Sequence, residues 1–207
     1  MIKNILFDFD GVILDSMPTR EIGFRKIFSQ YDSKSVEKVI EFHNKNGGLS
    51  RFVKIKYFFE KILEQQISTV GIEKFAEKFS TIMKAELIKE EYLIKEVVQF
   101  IKENHKKYNM RIVSGSEHNE LNFLCDKLGI SQYFLSIEGS PTPKKILVER
   151  IIKKYKYSTE ETCLIGDSIN DFEAAETNNI NFLGFNNIDL KEVSSQYIET
   201  FNEVKFT

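Results

Sequence analysis

ILFDFDGVILDS, residues 5–16, decides how this chain is read. Ile5, Leu6 and Phe7 form an apolar run of strand character, and two carboxylates, Asp8 and Asp10, follow it directly. Successive strand side chains point to opposite faces, so Asp8 and Asp10, two residues apart, point the same way at the carboxyl end of a buried strand. Gly11 lets the chain leave in a tight turn, and Asp15 with Ser16 offers an N-cap to the helix that follows. Two like charges a few ångströms apart repel by about 4 kcal/mol at an effective dielectric near 20, so a cation belongs between them. This is the layout of a site, not of a core.

Outward from this stretch, short apolar runs recur over residues 2–7, 110–113, 134–137, 162–165 and 180–185. After the first they alternate with helical patterns over 94–106, 117–128, 144–155 and 170–177, and Gly129 stands where a helix C-cap residue belongs. That alternation predicts an α/β fold, a Rossmann-like parallel sheet core with helices on both faces. Residues 17–89 break the rhythm with helix-period apolar residues and no convincing strand. Phe52, Ile55, Phe58, Phe59, Ile62 and Leu63 form one stripe, and Phe75, Phe79, Ile82 and Met83 form another; both are read as packing faces. The domain reading is an α/β core of residues 1–16 and 90–207 with an inserted helical segment of residues 17–89. Asn46, Gly47, Gly48 and Leu49 give the strongest loop signal in the insert, and Ser50 is positioned to cap a helix beginning near Arg51.

Composition bounds the setting. The 207 residues, 42% of them apolar, suffice for one sizeable core with an insert, and a net charge of −2 gives no field for nucleic acid or an anionic membrane. Cys125 and Cys163 are the only cysteines, and Cys163 sits in an apolar run as a buried thiol does. No apolar stretch approaches the roughly 20 residues of a membrane span, and the amino terminus enters a strand pattern at once. A soluble, cytoplasmic protein is expected, with neither nucleic acid nor membrane as partner; oligomeric state is not legible.

Three further motifs carry chemistry, each with an ordinary structural explanation when taken alone. RIVSGS, residues 111–116, ends a strand in Ser114, Gly115 and Ser116, whose hydroxyl and free N–H groups suit a phosphate oxygen, although such turns are often only cap chemistry. GSPTPKK, residues 139–145, puts Lys144 and Lys145 at the start of a helix, where the dipole disfavours them unless a lysine faces acids and a phosphate. GDSINDFEAA, residues 166–175, sets Asp167 at a strand end and Asp171 one turn along, a pattern that can also cap a helix. In a parallel open sheet all these strand ends fall on one edge, where ligands bind. Four acids, one lysine and a hydroxyl gathered there require a cation, and an all-oxygen set suits magnesium rather than zinc.

With its motifs in the order Asp-x-Asp, Ser, Lys, Gly-Asp-x-x-x-Asp, the chain resembles the haloacid dehalogenase-like hydrolase superfamily, in particular its phosphatase and phosphomutase members with a helical cap inserted after the first motif. The resemblance implies Asp8 as nucleophile and Asp10 as general acid and base. It implies Mg2+ held by the Asp8 carboxylate, the Asp10 backbone carbonyl and Asp167, with Asp171 supporting the metal and lysine network. Ser114, the Gly115 amide and Lys144 would bind the transferring phosphoryl group. Many capped relatives place the lysine just before the first proline, where this chain has Ser140; Lys144 takes the role here because Val148 and Ile151 then fall at helix-core spacing, with Lys145 as the alternative. If the 46–51 loop overhangs the site, Arg51 and Lys54 become contacts for an anionic or hydroxylated leaving group; His43 is expected on a helix surface.

The resemblance implies a magnesium-dependent phosphatase acting on a small phosphorylated metabolite. A sugar phosphomutase is the alternative. A phosphate-accepting regulatory module without turnover and a dehalogenase are both disfavoured by Asp10.

Overall fold

A computed structural model describes residues 1–204 and 206. Six strands, β1 (Asn4–Phe7), β2 (Asn109–Glu117), β3 (Ile137–Ser140), β4 (Thr162–Gly166), β5 (Asn181–Phe185) and β6 (Gln196–Ile198), form one sheet in the order β3-β2-β1-β4-β5-β6. Every pairing is parallel. Alternation along β1 explains the two layers. Ile5 and Phe7 belong to the apolar cluster under one face and Leu6 to the cluster under the other. All three are fully buried, each contributing about 1.5–3 kcal/mol of apolar transfer.

Four helices belong to the β-α alternation: α5 (Lys95–Asn104), α6 (His118–Lys127), α7 (Lys144–Tyr155) and α8 (Ile169–Thr177). Leu147, Val148 and Ile151 of α7 and the small pair Ala174 and Ala175 of α8 pack against Leu6, Val113 and Leu164. Between β1 and β2 lie α1 (Met17–Ile27), α2 (Ser33–Lys45), α3 (Arg51–Tyr57), a π-helical turn over Phe58–Ile62, and α4 (Thr69–Glu86). Side-chain caps start three of these helices: Asp32 accepts from Ser35 N, Ser50 from Val53 N and Ser68 from Gly71 N. Phenylalanines bind them together, with Phe24 4.5 Å from Phe79 and Phe28 stacked 3.9 Å from Phe58 between ring centroids. That apolar cluster continues into the one beneath the sheet.

The chain leaves for these helices and returns from them side by side, with Asp15 N donating to Tyr92 O at 2.8 Å and Ile94 N to Ile13 O at 3.0 Å. β1 pairs with β2 on one side and β4 on the other, so the two chain directions away from β1 open the crevice expected at a topological switch point. No helix of the described residues is long and apolar enough to cross a membrane.

Three readings need correction. The apolar run at 134–137 is not the third strand. Ser131–Tyr133 is a 3-10 turn and β3 starts at Ile137, so Gly139 and Ser140 are strand residues. Apolarity locates Phe134 in the core, but the ladder is set by pairing with β2, where Ile112 meets Ile137. Ser16 stands at the N-cap of α1 but makes no side-chain cap bond; its hydroxyl donates to Asp10 instead. The sixth strand, short and only half apolar, gave no period to detect.

Candidate active site

Asp8 directly follows β1, its N–H donating to Ile165 O of β4 at 2.9 Å, which fixes the carboxylate at the switch point. Asp8 Oδ1 accepts from Phe9 N at 2.7 Å and from Lys144 Nζ at 2.9 Å, while Oδ2 accepts no hydrogen bond among the described residues. Lys144 is the first residue of α7 and is buried; its ammonium also donates to Asp171 Oδ1. Lys145 is exposed. Both Asp171 oxygens are engaged, Oδ1 by Lys144 and Oδ2 by the N–H and the hydroxyl of Ser168, at 3.1 and 2.6 Å.

Asp167 completes the group. Carboxylate oxygens of Asp8, Asp167 and Asp171 lie within 4.8 Å of one another. Gly11 has φ +76°, and a Cβ there would fall on the Asp167 carboxylate, so glycine is required both for the turn and for the approach. Asn186 and Asn187, at the end of β5, brace this backbone by donating to Gly11 O at 3.0 Å and Asp167 O at 2.9 Å. Burial raises Asp8 to about 7, reinforced by the Asp171 charge and only partly offset by Lys144. Burial and Asp8 push Asp167 well above the usual carboxylate range. Such shifts follow first from burial and then from gathering three acids around one lysine.

Asp10 faces elsewhere. Oδ1 accepts from Arg20 Nε at 2.6 Å and from the Ser16 hydroxyl, and Oδ2 from the Ser116 hydroxyl at 2.5 Å. Burial alone would raise it, but Arg20 and the two hydroxyls outweigh burial and hold the carboxyl below its ordinary value. The Asp10 carboxylate thus lies outside the three-acid group; its backbone carbonyl accepts no backbone hydrogen bond among the described residues.

One cavity opens beside Asp8 and Asp10. Asp8, Asp10, Ser114, Gly115 and Ser116 form its sheet side, and Arg20, His43, Gly47, Gly48, Leu49, Arg51 and Lys54 its helical side. The loop before α3 presses on β2 so closely that a Cβ on Gly115 would collide with Gly48 O. Positions open to the centre of a water molecule amount to about 20 Å³, room for roughly one water.

The structure brings Asp8, Lys144, Asp167 and Asp171 into one network and places Asp10, Ser114, Gly115 and Arg51 around the same cavity. Arg51 is buried, not solvated, and its guanidinium grips Glu120 of α6, with Nη1–Oε2 at 2.5 Å and Nη2–Oε1 at 2.6 Å. Arg20 Nη1 donates to the same carboxylate at 3.1 Å. His43 is not at a surface: it is buried, and its Nδ1 lies 2.8 Å from Lys54 Nζ. Arg20, Glu120, Asn186 and Asn187 gave no motif signal, because each acts through partners distant in sequence.

A family model described as haloacid dehalogenase-like hydrolase matches residues 5–185. Over 186 residues the chain is 24% identical to a phosphoglycolate phosphatase of Vibrio parahaemolyticus serotype O3:K6, an alignment covering 84% of this chain and 79% of the relative. Among solved structures, beta-phosphoglucomutase from Clostridium difficile superposes with a TM-score of 0.77 at 19% identity, over 100% of this chain and 94% of that one. CbbY from Rhodobacter sphaeroides in complex with xylulose-(1,5)bisphosphate gives 0.78 at 16% identity, over 98% and 96%.

Proposed function

The chain belongs to the haloacid dehalogenase-like hydrolase family, and from that premise we propose that it is a magnesium-dependent phosphatase that hydrolyses a small phosphorylated metabolite through an aspartyl-phosphate on Asp8. The observation that carries the proposal is the buried Asp8 carboxylate, held by Lys144 on one oxygen and free on the other, beside Asp167. Residues 17–89 are read as the cap and residues 1–16 and 90–207 as the catalytic core.

In the first step Asp8 attacks phosphorus and the bond from phosphorus to the leaving oxygen breaks; Asp10, ionised in the free protein, takes up a proton as the ester binds and supplies it to that oxygen. In the second, Asp10 takes a proton from water as the water attacks phosphorus. The bond to Asp8 breaks, and orthophosphate leaves with both aspartates restored. Lys144, the Ser114 hydroxyl and the Gly115 N–H hold the phosphoryl oxygens and balance their charge. Arg51, fixed by Glu120, forms the wall toward the leaving group.

The donor set fits magnesium: all oxygens, with Asp8 and Asp167 pushed up by burial and by neighbouring carboxylates, and the Asp10 carbonyl unengaged. Asp8, the Asp10 carbonyl and Asp167 would hold the ion. Asp171, whose oxygens are already engaged by Lys144 and Ser168, would brace Lys144 and the ion's surroundings rather than ligate. When bound, the ion supplies charge neutralisation at the phosphoryl oxygens.

Phosphate release from phosphoglycolate, sugar phosphates and nucleoside monophosphates, with magnesium and with chelator, tests this reading. Magnesium-dependent release from a few of these compounds is expected; release that chelator leaves unchanged contradicts it. A phosphomutase is the second reading, favoured by the close approach of Gly48 to Gly115, which narrows access to the phosphoryl pocket. Interconversion of phosphate isomers without phosphate release decides for it.

A further inference from the structure

The helical side of the cavity carries positive charge that the protein does not balance. Three cations line it, Arg20, Arg51 and Lys54, all at most 5% exposed, and the carboxylates paired with them, Asp10 and Glu120, are both held by the arginines. Both terminal nitrogens of Arg51 are engaged, by Glu120 and Ser80. Lys54 is different. Its ammonium meets only His43 Nδ1, at 2.8 Å, and Gly47 O, at 3.1 Å, and no carboxylate of the described residues pairs with it. Burial, with Arg20 adding to it, lowers Lys54 to about 7, the direction expected of an ammonium without a counter-ion. His43 cannot share the charge, since burial and Lys54 drive its ring down to about 2 and leave it a neutral acceptor.

A second donor is also unused. Arg20 gives Nε to Asp10 and Nη1 to Glu120, but its Nη2 is buried with no partner. A buried donor left unmade is costly, and a buried unpaired charge more so. Both groups line the cavity that Asp8 floors. Their arrangement is that of an anion site lacking its anion, on the helical side of the cavity.

We propose that Lys54 Nζ and Arg20 Nη2 form a second anion subsite, so that the substrate is a phosphate monoester whose leaving group itself carries a carboxylate or a second phosphate. This rests on the phosphatase reading and narrows its substrate class. A neutral alcohol in the same place leaves both donors unpaired, so the subsite selects by rejecting neutral leaving groups as well as by attracting charged ones. No covalent step is added.

The test compares kcat/KM, with magnesium, for three esters: phosphoglycolate, a short alkane bisphosphate, and ethyl phosphate. One of the two charged esters is expected to exceed ethyl phosphate by tenfold to a hundredfold, on the order of a charge-assisted hydrogen bond to a buried cation. Which of the two leads tells carboxylate from phosphate. Lys54→Met is expected to bring that ratio to within about threefold of unity, with the loss mainly in KM. Equal kcat/KM for all three in the unaltered enzyme overturns the subsite, and so does a ratio that Lys54→Met leaves intact.

Should none be hydrolysed, the same compounds are titrated calorimetrically into Asp8→Asn protein with magnesium. Tighter binding of a charged ester then keeps the subsite and sinks only the hydrolase reading; equal binding sinks the subsite.

Discussion

At Asp10 burial and pairing oppose each other, and pairing wins: Arg20 and the hydroxyls of Ser116 and Ser16 hold the carboxylate ionised against the cost of desolvation. A carboxyl with a lowered value keeps its base form below the ordinary carboxylate range and loses it only as pH falls through that lowered value. Phosphoenzyme breakdown, which needs Asp10 as base, should therefore persist to unusually low pH. In Arg20→Met the falling limb of the pH–rate profile moves to higher pH. A limb in the same place would show that Arg20 does not set Asp10. Asp8→Asn should lower phosphate release by at least about a thousandfold with an unchanged circular dichroism spectrum. Retained activity would remove Asp8 as nucleophile. The two aspartates were legible as site residues from their place after an apolar strand, but not their directions: β1 ends at Phe7, and Asp10 turns to Arg20, Ser16 and Ser116 instead of sharing Asp8's direction. Arg20 was not legible, since its meaning comes from Asp10, ten residues away, and Glu120, a hundred residues away.

At the scale of elements, α6 and the inserted helices are tied through one buried carboxylate. Glu120 takes both Arg51 of α3 and Arg20 of α1, and burial is outweighed by those two charges, which keep it ionised. Glu120→Ala strands two buried cations and should destabilise the protein by about 3–5 kcal/mol, read by urea denaturation. A loss below about 1 kcal/mol would mean that the insert swings away and rehydrates both arginines. Gly115→Ala tests the seal on the other side: its methyl group meets Gly48 O, displaces the 47–49 loop and should reduce kcat/KM by about a hundredfold. Of the insert's helices, α3 and α4 were readable from apolar period and the loop before α3 from the Asn-Gly-Gly signal, whereas α1 and α2 were not placed individually. The start of β3 and the whole of β6 were not readable, because strand limits there follow from ladder partners rather than from local apolarity.

The whole molecule gathers four motifs, separated by up to about 160 residues in sequence, on the carboxyl edge of one parallel sheet. That convergence was legible because βα alternation and parallel topology leave little choice of where strand ends point. The charge balance inside the cavity was not, since it depends on which side chains the fold leaves unpaired. Its consequence for metal binding can be measured. With Asp8 raised to about 7 and Asp167 also raised, the metal-free protein binds protons there that a cation must displace. Apparent magnesium affinity should rise as pH increases from about 5 to about 8, with proton release seen by calorimetry in buffers of different ionisation enthalpy. Affinity independent of pH would mean that the acids are already ionised.

The central claim is the covalent intermediate, and the measurement that meets it most directly is acid quenching of the enzyme during turnover with magnesium, followed by peptide mapping of the phosphoryl group. The account predicts a phosphoryl group on Asp8, absent with chelator and absent in Asp8→Asn. Magnesium-dependent turnover with no phosphoryl group on Asp8, or with the group on another residue, would contradict it.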